Sequence, residues 1–102
     1  MKTTFVIATA LALASAGAWA STEAMNKAGC MACHTVDKKL VGPPFKEIAA
    51  KYKGQADMVP KLMDKVRKGG AGVFGPIPMA PNPPDKINDA DLKAAVELIL
   101  KS

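Results

Sequence analysis

The sequence predicts an all-α fold of about four short helices, and three observations support that expectation. Three stretches carry apolar residues at i, i+3, i+4 and i+7: Phe45, Ile48, Ala49 and Tyr52; Val59, Leu62, Met63 and Val66; Leu92, Ala95, Val96 and Ile99. No alternating β-branched run reads as a strand. Glycine stops and polar starts bracket the periodic stretches at helical lengths.

Residues 1–20 read as a secretory signal. Lys2 is the positive start, residues 5–14 are an apolar run, and Ala18-Trp19-Ala20 is an A-x-A cleavage site. A membrane anchor is the competing reading, but the run is short and is followed by the small residues Ser15 and Gly17. Cleavage leaves a domain of 82 residues, from Ser21 to Ser102, with net charge +4. With no further apolar span, the product is expected to be soluble, with no stable membrane insertion.

In the mature chain, Ser21-Thr22-Glu23 reads as a helix start, with Met25 and Ala28 facing inward and Gly29 as the stop. Val41-Gly42-Pro43-Pro44 is a stiff turn, and Pro44 suits the opening of the helix that carries Phe45. Gly54 ends that helix, and Asp57 can cap the next, which closes with Arg67 and Lys68 before Gly69-Gly70. Asn88 or Asp89 caps the last.

The most informative stretch is Cys30-Met31-Ala32-Cys33-His34, the C-x-x-C-H pattern for covalent attachment of a c-type haem. Two sulfurs on a helical turn can reach the two vinyl groups on one porphyrin edge, while the adjacent imidazole turns under the iron. Other readings are weaker. A zinc site would need an Asp or Glu ligand, since the chain holds two cysteines and one histidine. A thioredoxin-like centre would follow a strand, and none precedes Cys30. Neighbouring side chains on a helix do not face each other, which argues against a Cys33 and His34 nucleophile pair.

The second informative segment, residues 69–84, holds five prolines and four glycines. A loop of that length in so small a domain is functional or disordered, and the prolines argue for a fixed shape. Met79 stands in its middle, where a thioether can take the sixth position on a haem iron opposite His34. That pairing is the one used by electron-carrying cytochromes. Met25, Met31, Met58 and Met63 remain as alternatives, with core filling the bland reading for each.

Taken with Val41-Gly42-Pro43 and Gly72-Val73-Phe74-Gly75-Pro76-Ile77-Pro78-Met79, the C-x-x-C-H run resembles the short bacterial class I cytochromes c of the cytochrome c-551 type, over nearly all of residues 21–102. The resemblance implies a small class I cytochrome c fold around one covalently bound haem c. It makes Cys30 and Cys33 the thioether sites, His34 the proximal ligand and Met79 the distal ligand. It also implies that the Pro43 carbonyl accepts the His34 Nδ1 proton, and it places the Asn82 amide near the methionine sulfur. One departure is Phe74, where many members have a tryptophan that reaches a haem propionate; phenylalanine has no donor to offer.

The function implied is a monomeric, soluble, periplasmic one-electron carrier, with a membrane cytochrome complex as donor and a terminal reductase (nitrite reductase-like) or oxidase as acceptor. With both axial positions filled, it would not be an enzyme. The competitor from another class is an enzyme or gas sensor with an open sixth site. Lys27, Lys38, Lys39, Lys46, Lys51, Lys53, Lys61 and Lys65 form either a solubilising surface or a basic rim that steers acidic redox partners. Nucleic acid is not an expected partner, for want of an aromatic platform.

Overall fold

The structure, a computed structural model, describes residues 21–102. The expected signal segment and its cleavage site before Ser21 lie outside the described residues. Four α-helices and one 3₁₀ turn are present among those described. Helix α1 covers residues 21–28, and the turn covers Cys30–Ala32. Helices α2, α3 and α4 cover Phe45–Lys51, Met58–Lys68 and Asp89–Leu100. No strand occurs among the described residues; isolated antiparallel bridges join His34 to Lys39 and Gly70 to Met79.

Several helix boundaries have a local cause. Gly29, at φ 84°, separates α1 from the 3₁₀ turn in a left-handed conformation that costs glycine nothing. Pro44 stands at the N-cap of α2 rather than inside it, and has no side chain with which to cap. The free amides of the first turn find carbonyls from the preceding loop instead: Phe45 N–H donates to Thr35 O at 2.8 Å, and Lys46 N–H to Val36 O at 3.1 Å. That exchange docks the loop after His34 onto the start of α2.

Helix α3 departs from the expected capping. Asp57 occupies the N-cap position but makes no side-chain cap bond; its carboxylate pairs with Lys61 at 2.8 Å. That pair is exposed, and the Lys61 ammonium holds the Asp57 carboxyl below its ordinary range. Pro60 falls in the first turn of α3, where its missing N–H has no helical partner to lose. At α4 the cap is Asn88, whose Oδ1 accepts from Asp91 N–H at 2.8 Å. We expect Asn88→Ala to cost about 1 kcal/mol. Thermal unfolding should then fall by about 4–8 °C.

Helix α4 is the hub. Helices α2 and α3 both pack on it, yet not on one another. Met25, Phe45, Ile87, Leu92, Ala95 and Val96 form the core around it. Val96, at 1 % exposure, is its best-buried side chain. The apolar stripe of α3 fares differently: Val59, Leu62, Met63 and Val66 remain only half-buried, and Met58 is the single buried residue of that helix. An amphipathic helix that packs on one neighbour and leaves its stripe half-covered lacks a second apolar surface.

Candidate functional site

The site begins at the 3₁₀ turn. With three residues per turn, positions i and i+3 lie one above the other, so Cys30 and Cys33 share one edge. Cys33 N–H and His34 N–H both donate to Cys30 O, at 3.2 and 3.0 Å, which holds the motif as one rigid unit. Both thiols are free and half-buried. Burial is the main cause that pushes the Cys30 thiol above its ordinary range. A redox-active C-x-x-C pair needs the opposite shift. An environment that disfavours thiolate suits a neutral thioether sulfur.

His34 Nδ1 lies 2.7 Å from the Pro43 carbonyl. A carbonyl oxygen carries no proton, so Nδ1 must donate, and in the neutral ring Nε2 is left with the lone pair that binds a metal. The ring is further fixed by Phe45, stacked on it at 5.5 Å between centroids and 21° between planes. Gly42 closes the third side. A Cβ at Gly42 would lie 2.5 Å from His34 Cε1 and 2.8 Å from Nδ1, so only glycine lets the backbone pass this close to the imidazole.

Met79 is held from both directions along the chain. Met79 N–H donates to Gly70 O at 3.0 Å, and Gly70 N–H to Met79 O at 2.9 Å, which closes the intervening loop against the end of α3. Downstream, Asn82 is 8 % exposed, and its backbone N–H donates to Val66 O at 3.0 Å. The Asn82 Nδ2 donates to Val66 O at 3.3 Å and Ala80 O at 3.1 Å. The amide therefore braces the loop backbone beside Met79. Met79 itself is half-buried, whereas Met25 and Met58 are 3 % and 6 % exposed and act as core fillers. Met31 and Met63 are half-buried and pack against the core.

These residues fit a haem. Two sulfurs on one edge, an imidazole with Nε2 unengaged, a thioether on a braced loop and the half-covered stripe of α3 form the donor set and apolar wall that a large flat macrocycle needs. The separation of α2 from α3 has the same explanation. Among the described residues no three His, Cys, Asp or Glu side chains converge to hold a metal ion directly. Phe74 is half-buried, with the Lys51 ammonium 5.7 Å from its ring centroid. Phe45 as a stacking partner, Gly69 at the loop hinge and Arg67 as a brace are additions that the sequence pattern does not single out. Arg67 reads there only as a last-turn cation.

The chain is similar to known proteins in sequence and in fold. The family model described as Cytochrome c matches residues 20–102. The chain is 50% identical to cytochrome c2 of Rubrivivax gelatinosus over 80 residues, 78% of this chain and 94% of that protein. It is 41% identical to cytochrome c-551 of Pseudomonas aeruginosa over 98 residues, 93% of this chain and 89% of that protein. The crystal structure of wild-type cytochrome c552 from Nitrosomonas europaea superposes with a TM-score of 0.71 at 44% identity, covering 78% of this chain and 96% of that one.

Proposed function

We propose, for a chain that belongs to the cytochrome c family, the role of a soluble periplasmic electron carrier that takes one electron from a membrane cytochrome complex and delivers it to a terminal reductase or oxidase. The protein is a small single-haem cytochrome of an electron-carrier family, and its cofactor is covalently attached haem c. Residues 1–20 are proposed as the export signal, which fits attachment of haem c outside the cytoplasm.

In this reading Cys30 and Cys33 carry the thioether bonds, and His34 and Met79 are the proximal and distal ligands. When bound, the haem supplies a one-electron couple at its iron. The observation that carries the assignment is the His34 to Pro43 hydrogen bond, which commits Nδ1 and directs Nε2 away from the backbone. Pro43 and Asn82 act through the ligands, one by orienting the imidazole and the other by bracing the backbone beside Met79. With His34 and Met79 both holding the iron, little of the chain would need to rearrange on electron transfer.

Docking is proposed at the loop after His34 and the Met79 loop. Val36, Leu40, Val41, Val73 and Ile77 are the exposed large hydrophobics of the described residues. Lys38 and Lys39 flank the first group and make no ion pair with a described residue, whereas Lys27, Lys46 and Lys61 are paired with Glu23, Asp37 and Asp57. An apolar patch with free cations beside it suits brief, salt-sensitive contact with an acidic partner by a monomeric carrier. Among the described residues no helix is long and apolar enough to cross a membrane.

The test is Met79→Ala. It should abolish the weak far-red absorption of a ferric iron to thioether bond, lower the reduction potential and let ferrous protein bind carbon monoxide rapidly. A wild-type protein that lacks the band and binds carbon monoxide at once would instead have an open site, as an enzyme or gas sensor does. Stopped-flow oxidation by purified reductases and oxidases at several ionic strengths then identifies the acceptor.

A further inference from the structure

Arg67 lies in the last turn of α3, yet its contacts go well beyond those of a cation at a helix end. Lys65 and Lys68 already supply positive charge there. The Arg67 side chain is only 19 % exposed, and its guanidinium reaches three groups far along the chain. Nη1 donates to the carbonyls of Asn82 at 3.0 Å and Ile87 at 2.7 Å, and Nη2 donates to Asp89 Oδ1 at 2.6 Å. All three acceptors lie between Met79 and the first turn of α4.

Apart from the Ile87 side chain, which is buried in the core, that segment has few other anchors. Lys86 N–H and Ile87 N–H donate back to Pro83 O within a local turn, which ties the segment to itself. Among the described residues its hydrogen bonds to α3 are those of Asn82 to Val66 O and those of Arg67. Two adjacent α3 residues thus hold the downstream arm of the Met79 loop, one through its carbonyl and one through its side chain.

We propose that Arg67 is a positioning residue for Met79: by clamping the Asn82 and Ile87 carbonyls to the end of α3, it keeps the loop closed and the thioether in place. The proposal rests on the reading of Met79 as distal ligand. The two carbonyl bonds carry the effect. Asp89 is 85 % exposed, so water and salt screen its share. A lysine at position 67 would keep the charge but lose the planar fork that serves two separated carbonyls. Without the clamp, both carbonyls turn to water and local opening of the segment becomes easier, with the rest of the fold untouched.

The test is titration of the ferric holoprotein with imidazole, followed through loss of the far-red thioether band. Arg67→Met should bind imidazole about tenfold more tightly than wild type, because two charge-assisted bonds of the closed state are gone. Arg67→Lys should fall between them, and Asp89→Asn should stay within about twofold of wild type. Val96→Ala, in the core of α4 and away from the loop, should lower the unfolding temperature without changing imidazole affinity.

Unchanged affinity in Arg67→Met would overturn the proposal. So would an equal rise in Val96→Ala at an equal loss of stability, since Arg67 would then be an ordinary structural residue. If Arg67→Met fails to fold, Arg67→Lys decides alone, and wild-type affinity in it refutes the clamp. Absence of the band from the wild-type protein would refute the ligand reading itself, a failure visible before any variant is made.

Discussion

Replacing Cys30 and Cys33 together by alanine is expected to leave the exported chain largely unfolded, with most of its far-ultraviolet helical signal lost. Eight apolar side chains are buried among the described residues, and α3 contributes one of them. A domain of this size supplies only about 3–5 kcal/mol of net core stability unaided. Helices α2 and α3 do not pack on each other, and the stripe of Val59, Leu62, Met63 and Val66 is half-covered. An anchored porphyrin gives both helices a common apolar surface. Circular dichroism of the double variant checks this, and full native helicity would show that the protein core suffices.

The second large effect is expected at Gly69. This residue ends α3 with φ 69° and ψ −151°, a region essentially confined to glycine. A Cβ there would run into the Met79 carbonyl oxygen and lie 2.9 Å from Ala80 C and Pro81 N. All three are backbone atoms, so no side chain can rotate away. Strain of about 1–3 kcal/mol adds to overpacking of similar size. Gly69→Ala should therefore lower the unfolding temperature by at least about 10 °C. The far-red thioether band should weaken with it, because the group that must yield is Met79. Gly54→Ala is the matched comparison. Gly54 has φ 80° but open space around its Cβ position, so it should cost only about 1–2 kcal/mol and leave the band intact. Equal effects at the two glycines would mean that the close approach to Met79 is of no consequence.

Much of the architecture is legible in the chain itself. The stripes of α2, α3 and α4 and the glycines at positions 29 and 69 are local signals, and they correspond to observed elements and ends. The attachment motif is legible because its spacing is itself the chemistry. What pattern reading misses is the pairing of groups distant in sequence. Asp57 reads as a cap, but a lysine one turn on competes for its carboxylate. Pro44 reads as a helix opener, but the amides after it are met by Thr35 and Val36, whose carbonyls carry no residue signature. Arg67 reads as a helix-end cation because its acceptors lie 15, 20 and 22 residues away. All five prolines from Gly69 to Pro84 stand within five residues of Met79, and they mark a stiff loop. Its closure by the Gly70 to Met79 bridge emerges only in three dimensions.

Cofactor, fold stability and function all depend on the chemistry at Cys30 and Cys33. Mass spectrometry of exported protein under denaturing conditions, of the tryptic peptide that holds both and of the intact chain, reads that chemistry directly. The prediction is one haem added through both sulfurs, with an intact mass that places the N-terminus at Ser21. Two unmodified thiols, or a disulfide between Cys30 and Cys33, would contradict it.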